Sequence, residues 1–145
     1  MHHLAPPVVT FLCAIRAEIG GAEEFTTAHG TVRAMFPITG GALLGEGLKG
    51  TILPGGADFA QRLPDGSYAI KARYLVRLQD GTLLAITNAG RMRLQPDGSF
   101  HGRTRAEIEA AAGPFGWLTD EVLFGTAFAA AGDETQVHVA LWLAR

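Results

Sequence analysis

The chain has 145 residues, of which 48% are apolar and 18% are charged, and this composition excludes an intrinsically disordered protein. Its length predicts one domain over residues 1–145, with a disordered start at 1–6. A net charge of −2 gives no electrostatic reason to expect binding to nucleic acid. The 19 glycines recur between short apolar runs, which favours short strands and tight turns over helices.

The first apolar run, residues 8–15, contains the single cysteine, Cys13. A lone cysteine excludes an internal disulfide, and its apolar neighbours indicate a buried structural thiol. The run is shorter than the roughly 20 apolar residues that cross a bilayer, and it lacks the basic start and cleavage site of a signal peptide. We therefore expect a cytoplasmic protein with no membrane partner.

Strands alternate with turn signals along most of the chain. Residues 20–30 are polar and turn-rich, and Pro37 is expected to end a strand. The last strand shows period-two alternation, with Val137, Val139, Leu141 and Leu143 on one face. The predicted strands are 7–19, 31–36, 38–45, 48–53, 57–62, 68–78, 82–94, 122–130 and 135–144.

Three Asp-Gly pairs, at 65–66, 80–81 and 97–98, separate apolar runs at a spacing of roughly a dozen residues. An Asp-Gly pair in this setting is a strong hairpin signal, so the three predict an antiparallel meander. A meander of this length closes into a barrel or leaves exposed edges. The sequence therefore predicts an all-β protein of nine or ten antiparallel strands, arranged either as a single closed barrel or as a sheet with exposed edges.

Local sequence favours a helix in one segment, residues 104–112. Thr104 is a candidate N-cap, Glu107 follows three positions later, and the alanine run ends at Gly113-Pro114. A helix here would interrupt the succession of strands.

Two familiar site patterns lack support. Residues 45–50 fit G-x-G-x-x-G, but Thr51-Ile52-Leu53-Pro54 follows instead of the helix whose N-terminus would face a pyrophosphate. The histidines have no pair with ligand spacing on one face: His2 and His3 lie in the terminus, His29 and His101 in predicted turns, and His138 alone on a strand. We expect neither a cofactor nor a metal.

The stretch Gly45 to Asp65 centres on Pro54-Gly55-Gly56-Ala57-Asp58, in which a proline and two glycines allow a sharp change of direction just before a carboxylate. Charged and polar residues also interrupt other apolar strands, namely Arg73, Tyr74, Asn88 and Glu109. A charge inside a core is costly unless it is paired or hydrated, so these side chains are candidates for a pocket in the barrel.

Each candidate also has a structural interpretation. Asp58 could accept hydrogen bonds from turn amides, and Arg73 could pair with it. Strand parity groups Tyr74 with Ile70, Ala72 and Val76, which points Tyr74 inward and Arg73 outward unless a bulge intervenes.

From about Val8 to Leu143 the chain resembles the family called domain of unknown function 3237. The matching segments are 37–41, 50–59, 65–66, 72–74, 80–81, 88–90, and Glu109 placed eight positions before Trp117-Leu118. The resemblance implies a compact antiparallel β-barrel, commonly a dimer, with a pocket lined by Asp58, Arg73, Tyr74, Asn88 and Glu109. It also implies a strand over 100–109 leading to a short helical turn at 115–118, in place of the helix at 104–112.

Our leading functional hypothesis is a cofactor-independent acid–base enzyme, an isomerase, cyclase or lyase acting on a carbonyl-bearing or polyketide-like small molecule. Asp58 and Glu109 would act as base and proton donor, Tyr74 and Asn88 would stabilise an oxyanion, and Arg73 would bind a carboxylate. The alternatives are a lipocalin-like module that binds an apolar ligand without chemistry, and a structural homodimer.

Overall fold

The computed structural model describes residues 4–145. It contains ten strands, β1 to β10, and one short 3-10 helix, η1; residues 4–6 have no regular structure, and His2 and His3 lie outside the described residues. The elements are β1 Val9–Ile19, β2 Glu23–Thr26, β3 Val32–Gly45, β4 Leu48–Ile52, β5 Gly56–Arg62, β6 Tyr68–Leu78, β7 Leu83–Leu94, β8 Phe100–Ala110, η1 Gly116–Asp120, β9 Val122–Ala129 and β10 Gln136–Ala144.

Eight strands form a closed antiparallel ring in the order β1-β10-β9-β8-β7-β6-β4-β3, and pairing between β3 and β1 completes it. Two strands lie off this path. β5 pairs with the same neighbours as β4, namely β3 and β6, and β2 pairs with β3. The predicted fold class, an all-β closed antiparallel barrel, is confirmed.

Inward-facing side chains of the ring form the core. On β6 the even-numbered residues from Ala72 to Leu78 are buried and the odd-numbered residues are exposed, as period-two alternation requires. One end of the barrel is closed by η1, whose Leu118 is fully buried. The hydroxyl oxygen of Thr119 accepts a 3.0 Å hydrogen bond from the amide of Ala110 and so ties η1 to the end of β8.

The capped helix that the local sequence favours at 104–112 is wrong, and the strand implied by the family resemblance is confirmed. Thr104, Ala106 and Ile108 are buried while Arg105 and Glu107 are exposed, so the segment alternates with period two. Its backbone pairs with both β7 and β9, and this tertiary pairing overrides the helix propensity of the alanines.

Pro37 does not end a strand, because β3 continues through it. The carbonyl of Pro37 accepts a hydrogen bond from the amide of Gly20. In a strand the N–H and C=O of one residue point to the same side, so an N–H at position 37 would also face the Gly20 side. On that side β3 changes partner from β2, which ends its pairing at Met35, to β1, which begins at Ile38. A proline has no N–H to donate, so it is tolerated at a position where the neighbouring strand offers no acceptor. The short strand β2 was not predicted from the polar segment 20–30.

The Asp-Gly hairpins have the predicted geometry. The side chains of Asp65, Asp80 and Asp97 each accept a 2.9 Å hydrogen bond from the amide two residues later. The glycine that follows each aspartate has a positive φ between 86° and 91°, a conformation that a residue with a Cβ rarely adopts. Within residues 4–145, no helix is long and apolar enough to cross a membrane.

Candidate functional site

The Pro54-Gly55 corner joins two strands that fill the same gap between β3 and β6. Gly55 has φ of 109°, a left-handed conformation that favours glycine. A Cβ on Gly56 would lie 2.5 Å from the carbonyl oxygen of Arg73 and 2.7 Å from Cβ of Tyr74. The corner is therefore a break within one strand path, and its second glycine lets β5 approach β6 closely just before Asp58.

Asp58 faces the interior of the barrel. Its neighbours on β5 define the faces: Ala60 is buried, and Phe59 is 61% exposed on the outside. Asp58 lies opposite Phe36 on β3 and opposite Ala72 on β6. Its side chain is half-buried, so the carboxylate belongs to the inner wall and still has access to solvent.

The Asp58 carboxylate also takes part in the β5–β6 ladder. Backbone pairing stops after Asp58 with Ala72 and resumes at Gln61 with Ala69, in the same register. In the interval the amide of Lys71 donates a 2.9 Å hydrogen bond to Oδ1 of Asp58. The structural interpretation of Asp58, an acceptor for a backbone amide, is thus partly correct, and its second oxygen makes no hydrogen bond to the described residues.

Burial raises the pKa of Asp58 to about 6, and the hydrogen bond from the Lys71 amide opposes this increase. The desolvation of the charged form is the larger effect. The carboxyl is therefore poised near neutrality, where it can both accept and release a proton. The hairpin aspartates show the opposite behaviour, since hydrogen bonds to their turns hold the pKa of Asp65 and of Asp97 below the usual range.

The end of the barrel opposite η1 carries three half-buried aromatic rings, Phe36, Tyr68 and Phe100. The ring centroids of Phe36 and Tyr68 are 5.6 Å apart, and those of Tyr68 and Phe100 are 5.8 Å apart. Ile19, Ile70 and Val137 are half-buried around the same end. We call this set of six side chains, together with Asp58, the mouth.

The sequence reasoning missed the three aromatic residues of the mouth. Strand parity could have identified Tyr68, because it lies on the same inward face of β6 as Tyr74. Burial raises the pKa of the Tyr68 phenol, so this hydroxyl is a neutral hydrogen-bond donor at the mouth.

Asn88 lies on the same level of the inner wall as Asp58. Ala72 is opposite Asp58 on one side and opposite Asn88 on the other, so the two polar residues are about 10 Å apart between Cα atoms, with only a methyl group between them. Asn88 is 3% exposed and Thr104 is 4% exposed. Among the described residues, Oδ1 of Asn88 and Oγ1 of Thr104 are buried without a hydrogen-bond partner. Both oxygens are therefore unsatisfied acceptors in the interior.

Tyr74 points inward, as its parity predicted, and belongs to the core. It is 6% exposed, and burial raises the pKa of its phenol well above the ordinary value. Burial also raises the pKa of Cys13 to about 12, which agrees with a structural thiol. Tyr74 therefore lies deeper than the mouth and stays neutral at physiological pH.

Arg73 and Glu109 do not join the other candidates. Both are exposed on the outer wall, Arg73 on β6 and Glu109 on β8, because each lies at an odd-numbered position of its strand. The expected convergence of five polar residues in the barrel is therefore wrong for these two. The structure brings together Asp58, Asn88 and, further in, Tyr74.

Within residues 4–145, no three His, Cys, Asp or Glu side chains come together in a group that could hold a metal ion. A groove of about 650 Å³ lies outside the mouth, against β2 and the 64–66 turn. Its polar lining includes Glu24, His29 and Arg62 but not Asp58.

Comparison with known proteins places this architecture in a family. Residues 7–142 match the family of proteins of unknown function DUF3237. The chain belongs to that family. The predicted resemblance is confirmed, and the DUF3237 match runs from before β1 into β10.

Three known proteins are similar to this chain. A UPF0311 protein from Rhodopseudomonas palustris strain TIE-1 is 29% identical over 131 residues, which cover 81% of this chain and 85% of that protein. A hydroalkoxylation enzyme from Penicillium herquei is 23% identical over 121 residues, covering 83% of this chain and 74% of the enzyme. A β-barrel-like protein from Acinetobacter baumannii has the same fold, with a TM-score of 0.89, 22% identity and complete coverage of both chains.

Proposed function

We propose that this DUF3237 protein is a cofactor-independent acid–base enzyme that binds a carbonyl-bearing small molecule at the mouth and uses Asp58 to transfer a proton. The observation that carries the proposal is the Asp58 carboxyl itself, inward-facing, half-buried and with its pKa raised to about 6 by desolvation. A pKa near the working pH suits a group that must both take and return a proton.

The Penicillium relative suggests the reaction class. Hydroalkoxylation adds the O–H of an alcohol across a C=C bond, so it is redox-neutral. We infer a cyclase-type version: the Asp58 carboxylate accepts the hydroxyl proton as the oxygen forms a bond to one alkene carbon. The neutral Asp58 then returns that proton to the other carbon. Every atom of the substrate is kept, and one carboxyl is sufficient.

Asn88 and the aromatic residues would position the substrate. If the alkene is conjugated to a carbonyl, negative charge develops on the carbonyl oxygen during the addition, and the amide N–H of Asn88 is a suitable donor to it. The rings of Phe36, Tyr68 and Phe100 offer an apolar surface for a flat, polyketide-like substrate. Glu109 has no part in this scheme.

The test is a turnover assay with a panel of hydroxy-alkenes, including phenols with an unsaturated ketone side chain, in D₂O. We expect ring closure with one deuterium on carbon for at least one compound, detected by mass spectrometry and NMR. Asp58→Asn should slow it by about 10²–10⁴-fold, which is the usual contribution of acid–base catalysis. Glu109→Gln is the matched control and should keep the rate.

Two results would contradict the proposed role of Asp58 in catalysis. One is a fully active Asp58→Asn variant. The other is a small molecule co-purified from the native host, identified by native mass spectrometry, that wild type and Asp58→Asn bind equally and leave unchanged. The second result would favour the binding module without chemistry, for which the aromatic mouth is also suited.

The predicted homodimer is also a proposal, and we assign its interface to exposed apolar residues on the outer wall of β1, β9 and β10. Phe11 and Trp142 are in edge contact at 5.5 Å, and Phe124 lies opposite Trp142 on β9. Phe11 is 52% exposed and Phe124 is 43% exposed. A contiguous apolar patch of this kind marks an interaction surface.

Sedimentation analysis tests the interface. Phe124→Glu should convert a dimer to a monomer, because it places a charge in the centre of the patch. Phe59→Glu, at a more exposed aromatic residue on β5, should leave the mass unchanged. A monomeric wild type contradicts the proposal.

A further inference from the structure

The outer walls of β6, β7 and β8 carry a cluster of basic side chains unrelated to the mouth. All members are exposed and point away from the core. We call this cluster the basic face: Lys71, Arg73, Arg91, Arg93, His101, Arg103 and Arg105. It holds six of the twelve lysines and arginines of a chain whose net charge is −2, so the positive charge is strongly concentrated.

The basic face has few acidic partners: Asp65 is near enough to Arg93, and Asp97 to His101, for a charge interaction, but no member forms a salt bridge within residues 4–145. Within residues 4–145, the ion pairs join Arg16 to Glu18, Arg62 to Glu24 and Arg145 to Glu121, and none of them involves this cluster. The register also places two like charges against each other, because Arg91 lies directly opposite Arg103. Like charges at directly opposed positions of a sheet are destabilising, so the arrangement has a cost that an anion would offset.

A groove of about 640 Å³ runs between these side chains, and its lining includes Arg91, Arg93, Gln95, His101, Arg103 and Arg105. Neighbouring strands are about 4.8 Å apart and alternate residues about 7 Å apart, so the four arginines start from one small area of the wall. Arginine binds phosphate and carboxylate through a planar fork with several donors, which lysine cannot do. The cluster is therefore built for an anion with many oxygens.

The extent of the positive charge decides the size of that anion. The next outward residue after Arg105 on β8 is Glu107, and Glu109 follows it. At the other end, Asp97 lies in the turn that precedes β8. Carboxylates thus bound the cluster along β8, which is unfavourable for a long polyanion lying along the strands. A compact anion with high charge density satisfies four guanidinium groups without reaching the acids.

We propose that the groove between β7 and β8 is a binding site for a compact polyphosphate group, such as the di- or triphosphate of a small molecule. The site is independent of Asp58, because it lies on the outer wall and shares no side chain with the mouth. Arg91 and Arg103 are its central pair, and Arg93 and Arg105 flank them. The bound phosphates would relieve the repulsion across the ladder.

Isothermal titration calorimetry with sodium tripolyphosphate tests the site. The Arg91→Gln/Arg103→Gln double variant should bind at least about tenfold more weakly than wild type, as expected for the loss of charge-assisted hydrogen bonds. The control is Arg33→Gln/Arg77→Gln, which makes the same change in net charge at two exposed arginines outside the basic face and should keep the wild-type affinity. Circular dichroism establishes that both variants are folded.

Three outcomes would overturn the proposal. Wild type could fail to bind tripolyphosphate at low salt, or the two double variants could lose affinity equally, which would indicate a general charge effect. A twenty-nucleotide oligothymidine could bind wild type more tightly than tripolyphosphate in 150 mM salt, which would indicate a nucleic-acid surface instead. Competition by citrate at equal concentration should be weaker than by pyrophosphate, and the reverse order would also contradict a phosphate site.

Discussion

The inner and outer walls of the same strands place similar side chains in very different environments. On the inside, Asp58 is a half-buried acid whose pKa rises to about 6. On the outside, Glu109 is an exposed acid, and Arg91 faces Arg103 in solvent. The strands alternate between these walls at every residue, so one step along the chain separates a desolvated position from a hydrated one.

This difference shows that residue type alone does not identify a site in a small barrel. A charge on the inner wall costs free energy and is retained only where it is paired, hydrated or used. A charge on the outer wall costs little, and there only a cluster carries information. Asp58 is informative as a single residue, whereas the arginines are informative because they are together.

The largest expected difference between the inner and outer walls comes from placing the same new charge on each face of one strand. Val76→Asp places a carboxylate at a fully buried inward position, and Leu75→Asp places it at the adjacent outward position, which is 45% exposed. We expect Val76→Asp to cost at least about 4 kcal/mol, a large part of the stability of a domain, because the charge has no partner. Leu75→Asp should cost less than about 1 kcal/mol.

Urea unfolding followed by circular dichroism measures both variants. Equal midpoints for Val76→Asp and Leu75→Asp would mean that β6 does not separate a dry interior from the solvent. Wild type and Leu75→Asp should have the same slope of unfolding free energy against urea, since they expose the same surface.

The Asp58 carboxyl gives a smaller and pH-dependent version of the same effect. Its folded pKa of about 6 lies above the ordinary value of 3.8, so the folded state holds the proton more strongly than the unfolded state. The contribution of this proton to the free energy of unfolding is fully present below pH 3.8 and is lost as the pH rises through 6. Asp58→Asn keeps an acceptor for the Lys71 amide and stays neutral, so it should be about 2 kcal/mol more stable than wild type at pH 8.

Thermal unfolding of wild type and Asp58→Asn from pH 4 to pH 8 measures this difference. The two melting temperatures should be close at pH 4 and should diverge through pH 6, with wild type lower at pH 8. A gap that is constant over the whole range would show that Asp58 does not titrate near neutrality. The gain in stability together with the loss of turnover would identify Asp58 as a residue kept for function.

The corner that delivers Asp58 to the inner wall depends on backbone contact. Gly56→Ala should destabilise the fold by about 2 kcal/mol, because the added methyl would lie 2.5 Å from the carbonyl oxygen of Arg73. Gly55→Ala meets no atom within 4 Å and should cost about 1 kcal/mol through its φ of 109° alone. Chemical denaturation measures which of the two variants loses more stability. A larger loss for Gly55→Ala would mean that β5 and β6 can separate.

Much of the fold could be predicted from the sequence because its signals are local. The Asp-Gly hairpins and the period-two runs predict β6 within its observed limits, and parity places Tyr74 inside and Arg73 outside. β2 could not be predicted, because it is fully exposed and forms only by pairing with β3. The helix at 104–112 was wrong because tertiary pairing decides the state of an alanine-rich segment.

The candidate site was harder to predict because it depends on which strands are neighbours. Phe36 and Tyr68 are distant in sequence, and only the ring closure brings their rings together. The inward direction of Asp58 requires knowing that the Pro54-Gly55 corner continues a strand path instead of reversing it. Glu109 was assigned to the pocket from the family resemblance, although its parity with Glu107 on β8 indicates the outer wall.

The opposed arginines give the smallest effect and the final test of the outer wall. Arg91→Gln removes one member of the Arg91–Arg103 pair and should raise the free energy of unfolding by a few tenths of a kcal/mol at low salt. Because the repulsion acts between exposed groups, 0.5 M NaCl should remove the gain. Arg77→Gln, opposite Leu83 on the same wall, should show neither change. Urea midpoints at both salt concentrations distinguish the cases. A stabilisation that persists in high salt would mean that Arg91→Gln acts through packing and not through the loss of repulsion with Arg103.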